Sequence, residues 1–250
     1  MIEKIKEITN KKSFHIVILI VIITVILFAT GIIILKYSVE GETNMPFELS
    51  KISIISSSEG IDKETSDTKW AFDVYQSNDI YLHISKNKNY SKSEIIKSII
   101  IENINIESEN VKNIKIYKPA SGNENLIFKN SEENLVENLE YLGDLENNLS
   151  GLKISNQGGL IAFRCSNNNI AEYKSDDEEI NHQELLKKLG ISNQELQFKL
   201  NFDLVIKLEE GKEYKTTINL NLPVDNVVEQ GTTSKEYTDL SNFIFKRVKN

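Results

Sequence analysis

Twenty-two residues at 14–35, FHIVILIVIITVILFATGIIIL, constrain the chain more than any other stretch. Phe14 and Leu35 bound a run with no carboxylate and no Lys or Arg; His15 sits at its edge. As a helix it would be about 33 Å long, against a hydrocarbon core of about 30 Å. Its many β-branched residues are mediocre helix formers in water. In lipid the backbone has no partner but itself, and the helix is enforced. The expectation is a transmembrane helix.

A cleaved signal peptide fits less well. Signal cores are usually 7–15 residues and end in a small-x-small site. Here Ala29-Thr30-Gly31 is followed by Ile32-Ile33-Ile34-Leu35, which is still apolar core. No cysteine follows for a lipoprotein anchor, and the Gly-Phe site and early Glu of a pilin leader are missing. An uncleaved signal-anchor is the better reading. Lys4, Lys6, Lys11 and Lys12 precede the span, whereas Lys36 is followed by Glu40, Glu42 and Glu48. Positive charge stays in the cytoplasm, so the expected topology is single-pass, with residues 1–13 inside and 36–250 outside. Gly31 reads as a tolerated small residue, because no GxxxG pair accompanies it.

Residues 37–250 carry 24 basic and 35 acidic side chains, a net charge of −11. That sign argues against nucleic acid and against recruitment to an anionic lipid surface. Cys165 is the single cysteine, which excludes an intramolecular disulfide. An exported domain of this length can rely on its core instead. Sparse cysteine with abundant Ile, Lys and Asn suits the surface of a Gram-positive bacterium.

After a linker at 36–48 the pattern is mainly β. Residues 56–68 read as a loop. Two alternating runs, 70–75 and 80–85, flank Gln76-Ser77-Asn78-Asp79 as a hairpin turn. Ser91-x-x-Glu94 resembles a capping box and predicts a short helix at 92–98. Strands are expected at 99–106, 113–118, 125–129 and 135–142, then at 152–155, 161–165 and 169–173. A helix at 181–189 stops at Gly190. Residues 198–209 and 214–222 alternate over six apolar positions and predict the two clearest strands. Residues 225–241 read as a polar connection, and 242–248 as a last strand.

Short landmarks recur in order between the halves. Lys51-Ile52-Ser53 matches Lys153-Ile154-Ser155, Ala71-Phe72 matches Ala162-Phe163, and Glu94-Ile95-Ile96-Lys97 matches Glu184-Leu185-Leu186-Lys187. The fold expected is an antiparallel β-sandwich-like region built from two duplicated modules, 49–130 and 151–250, joined by a connector at 131–150. Each module would hold one short helix.

No catalytic constellation stands out. Cys165 is in register with Ile161 and Phe163, as a buried hydrophobe would be. His83 and His182 are a hundred residues apart, with no zinc-ligand spacing. The best candidate ion site is Asp176-Asp177-Glu178-Glu179, but it lacks the alternate spacing and glycine of a calcium loop. Carboxylates preceding a helix explain it better. No cofactor, metal or enzymatic activity is expected. The function expected is a membrane-anchored, non-enzymatic binding or assembly component of the cell envelope. Its partners would be the bilayer, through the helix, and other membrane or envelope proteins. A sensor's outer domain is the alternative, and a hydrolase the remoter one. A reporter active only outside the membrane, fused after Asn250, is expected to work; activity only in the cytoplasm would reverse the topology.

Overall fold

A computed structural model describes residues 12–38, 45–120, 127–143 and 154–248. The basic tail up to residue 11, the middle of the linker (39–44), part of the connector (144–150) and the first residues of the strands expected at 125–129 and 152–155 lie outside the described residues.

One long helix, α1 (Lys12–Ser38), covers the apolar run and extends it at both ends. The rest is mainly β and forms two antiparallel sheets. Strands β1 (Phe47–Asp62), β2 (Trp70–Lys86), β4 (Ile114–Tyr117), β7 (Gly158–Ser175) and β10 (Thr232–Tyr237) give one sheet in the order β10-β1-β2-β7-β4, with β6 (Ile154–Ser155) also on β7. Strands β3 (Ile96–Glu107), β5 (Leu139–Leu142), β8 (Phe198–Leu208), β9 (Glu213–Leu222) and β11 (Lys246–Arg247) give the other, in the order β11-β9-β8-β3-β5. Each sheet takes strands from both halves of the sequence, so the halves are interleaved in one packed unit.

The main core lies between the sheets. Ile52, Ile54, Ile80, Leu82, Ile161 and Phe163 meet Ile99, Ile101, Leu200, Phe202, Leu204 and Ile218. Phe163 and Phe202 touch edge to face across the layers, with ring centroids 5.2 Å apart. At the far end of β1, β2 and β7 the second layer is helical. Phe72 and Val74 pack beneath α2 (Leu185–Lys188), α3 (Asn193–Leu196) and α4 (Val227–Gln230) through Leu185, Leu186, Leu196, Val227 and Val228. Gly60 allows this approach: a Cβ there would lie 2.9 Å from Leu185 Cδ1.

Between the two cores runs a buried polar belt. Ser56 Oγ donates to Asn78 Oδ1 at 2.7 Å, and Gln76 Nε2 to the same oxygen at 3.0 Å. Asn78 Nδ2 reaches the Cys165 carbonyl at 3.2 Å, and the Val224 N–H donates to Ser56 Oγ at 3.0 Å. This belt corrects two expectations. Residues 56–62 continue β1, and Gln76–Asp79 are the middle of one strand and not a hairpin turn. Of the polar side chains that suggest a break, Ser56, Gln76 and Asn78 are bonded to one another inside the fold. The expected break between 161–165 and 169–173 is likewise a bulge within β7: its register against β2 shifts there, and Asn169 takes φ +53°.

The helix expected at 92–98 is absent; Ile96 begins β3. Glu94 turns away from Ser91 and accepts from Tyr90 Oη at 2.9 Å and Lys212 Nζ at 3.1 Å. The β-branched run behind it then pairs with β8. Residues 127–129 are not strand, β5 is confined to the last four residues of the expected 135–142, and 225–241 hold both α4 and β10. Of 242–248 only Lys246–Arg247 is strand. The repeated landmarks fall partly in like and partly in unlike places: Ile52 and Ile154 share the main core, and Ile96 and Leu186 are both buried. Phe72 and Phe163 are both fully buried but in different cores. Ile95 is 43 % exposed, whereas its counterpart Leu185 is buried.

Phe163→Ala is expected to cost about 3–5 kcal/mol in urea unfolding, because its ring joins the two sheets. Ile95→Ala is expected to fall within about 0.5 kcal/mol of the parent.

Candidate functional site

A cleft lies at the pole where the sandwich begins, smaller than the more open recess of about 990 Å³ lined by Glu107, Gln197 and Asn221. Met45, Phe47 and Leu49 form one wall, the turn after β2 supplies Asn87 and Asn89, and the segment between β10 and β11 supplies Leu240, Phe243 and Phe245. The cleft encloses about 420 Å³. Alternation at the start of β1 buries Phe47 and Leu49 and leaves Glu48 and Ser50 outward. Asn87 fixes the corner: its N–H donates to the Pro46 carbonyl at 2.9 Å and its Nδ2 to the Met45 carbonyl at 2.8 Å. The Asn89 N–H in turn donates to Asn87 Oδ1 at 2.9 Å. Across the cleft, Asp239 accepts from Ser241 Oγ at 2.7 Å and from the Ser241 N–H, which holds its carboxyl below the usual range. Met45, Phe47, Leu49 and Phe245 are themselves almost fully buried, so the surface the cleft presents is mainly amides, hydroxyls and the rim carboxylates of Glu48 and Asp239, with a smaller apolar part.

Beyond Asn89 the chain reaches the Tyr90–Glu94–Lys212 cluster. Burial alone would raise the Glu94 carboxyl; Lys212 and Tyr90 outweigh it and hold it below its ordinary 4.5. A depressed carboxylate adds stability above its unfolded value and loses it as pH falls through the folded one.

The strongest charge constellation lies on the outer face of the β2–β7 sheet. Arg164 Nε donates to Asp79 Oδ1 at 2.6 Å and Nη2 to Asp79 Oδ2 at 3.0 Å, a two-point pair. Glu59 lies 3.3 Å from Nη2 and also accepts from Tyr75 Oη. The guanidinium lies 5.3 Å from the Phe128 ring centroid, and its Nη1 donates to Asn130 Oδ1 at 3.2 Å. Phe128 and Asn130 belong to the crossing segment over this face, so Arg164 pins that segment down. Burial raises the Asp79 carboxyl more than Arg164 lowers it, a sign of how dry the pair is.

The residues singled out in the sequence do not converge. Asp176 Oδ1 accepts from the Lys69 N–H at 2.9 Å, and the Asp177 carbonyl from Trp70 Nε1 at 3.0 Å, so this acidic run tethers the start of β2. Among the described residues no three His, Cys, Asp or Glu side chains are grouped to hold a metal ion. Cys165 is fully buried, and burial pushes its thiol well up. Burial, then Lys51, lowers the His83 imidazole, while His182 packs edge-on to Phe72 at 4.8 Å. Local spacing exposes neither the cleft nor the Arg164 pin: the cleft draws on three separate stretches of chain, and Arg164 bonds to Asp79, Asn130 and Glu59 at separations of 85, 34 and 105 residues.

The described residues thus define an antiparallel two-sheet β-sandwich that follows a long apolar helix. No family model, curated protein or solved structure matches the chain.

Arg164→Leu leaves Asp79 buried without its partner and is expected to cost about 3–5 kcal/mol in urea unfolding. The thermal stability gap between the parent and Glu94→Gln is expected to shrink as pH is lowered below 4.5, towards Glu94's depressed folded value; a constant gap would separate Glu94 ionisation from stability.

Proposed function

We propose that the protein is a single-pass, membrane-tethered β domain that binds or assembles other proteins just outside the plasma membrane, without catalysing a reaction. One observation carries this reading. The window from His15 to Ile32 has a mean hydropathy of 2.8, and none of it is buried within the fold. A core helix of that length would be covered by the sandwich, whereas an exposed apolar helix needs lipid. The flanking charges support an inside amino-terminal tail and an outside sandwich.

Six residues, 39–44, separate the helix end from Met45, the first residue of the cleft wall. Fully extended they reach about 25 Å. The sandwich therefore works close to the bilayer, and its acidic charge keeps it from lying on anionic lipid. Its partners on this reading are membrane-anchored proteins or exported factors passing through the space beneath a Gram-positive wall. The cleft supplies a mixed, mainly polar recess for such a partner.

Carbonate-washed membranes are expected to retain the whole chain at its uncleaved mass. Added protease should spare it in intact cells and digest it once the wall is removed. A chain shortened by removal of 14–35 and released to the medium would identify a signal sequence and sink the tether.

A further inference from the structure

Protein sheets rarely leave a long, flat, neutral edge unguarded, since its backbone donors and acceptors recruit another strand. At the rims of the two sheets, β4 and β5 have four residues each, and β10 carries Lys235 and Glu236, the latter paired with Lys51 at 2.7 Å. β9 differs. Its outer side meets β11 only at Tyr214 and Lys215, with one further bond from the Val248 N–H to the Glu213 carbonyl at 2.8 Å. That bond fixes the phase: the backbone groups of odd-numbered β9 residues point to the rim, and those of even-numbered ones to β8. Beyond Lys215 the rim backbone of Thr217, Asn219 and Asn221 has no backbone partner among the described residues. The seven residues from Thr216 to Leu222 contain no charge, proline or bulge.

We infer that this edge is filled by the same edge of a second copy, so that two sandwiches join through antiparallel β9–β9 pairing across a two-fold axis at Asn219. The occupant follows from the fit of the edge to itself. Centred on Asn219, the pairing sets Thr217 against Asn221 of the second copy and Ile218 against its Leu220. Charge meets no like charge, as self-pairing requires. The length also matches. The open slot is bounded by β11 at Lys215 and by Pro223, which has no N–H to give. In the two-fold register the second copy's Pro223 arrives opposite Lys215, where its own chain leaves the sheet. The three rim residues of each strand would exchange about six backbone hydrogen bonds. This gives the binding reading its surface and partner, and rests on it for the crowding of copies in one membrane that strengthens weak pairing.

Cysteine pairing in the full-length chain, oxidised in its own membranes, tests the register. Asn219 is exposed, and Cys165 is too buried to compete. In the inferred pair the two 219 positions are about 5.5 Å apart at Cα, within disulfide reach. The two 217 positions are about 14 Å apart. N219C is expected to give a disulfide-linked dimer at least ten-fold more abundantly than T217C or N221C alone. Co-expressed T217C and N221C are expected to cross-link to each other. Monomeric N219C, equal cross-linking by all three single variants, or an adduct between N219C and a different protein would overturn the inference. Membrane retention of the same samples is scored separately, so loss of the tether and loss of the pairing are distinguishable.

Discussion

The sandwich depends on one pairing: β2 held between β1 and β7 over almost its full length. β2 is 17 residues long, and its inward side is apolar, then polar, then apolar again. The lower part meets the second sheet and the upper part meets the short helices. Between them, where neither layer presents an apolar surface, Gln76 and Asn78 bond with Ser56 and a strand carbonyl. A buried amide leaves little choice of neighbours, since an unmatched donor is costly. The belt therefore fixes the register of three strands at the point where apolar packing changes partner.

The outer face of the same strands solves a different problem. A bare sheet surface there would be wet, yet Arg164, Asp79 and Phe128 are largely covered. Burying an ion pair is expensive in desolvation, and its usual return is geometric specificity. Here the geometry holds the segment from residue 127 across the face. The opposite pole is left less complete: the cleft beside Met45 presents a mainly polar surface and has no cover among the described residues. Among the described residues these polar contacts fix the architecture, and a cleft, a wider recess beside Glu107 and a strand edge are left open.

Where apolar alternation is strict, as in β8 and β9, the sequence shows strand, face and turn directly. The apolar helix is equally plain. Alternation fails as a guide where polar residues enter the interior. Gln76-Ser77-Asn78-Asp79 looks like a turn because turns are usually the place for such residues; here they are strand, set between residues 55–58 of β1 and 164–167 of β7. Glu94 imitates a capping residue but serves Lys212, 118 positions away. Arg164 gives no hint of Asp79 and Glu59 until β2 and β7 are side by side. Local pattern reveals local structure, and this fold keeps its decisive polar contacts between distant strands.

The pairing of β1 with β10 sets a condition on how the domain is made. Ile54 of the first strand lies beside Lys235, with most of the chain between them. Ser56 likewise waits for Val224. Closing such distant contacts is entropically slow and leaves strand edges open in the meantime. During synthesis β1 and β2 emerge early, yet β2 waits for β7 and β1 for β10. A chaperone that shields extended segments would have its greatest effect in that interval, on the rim of β1.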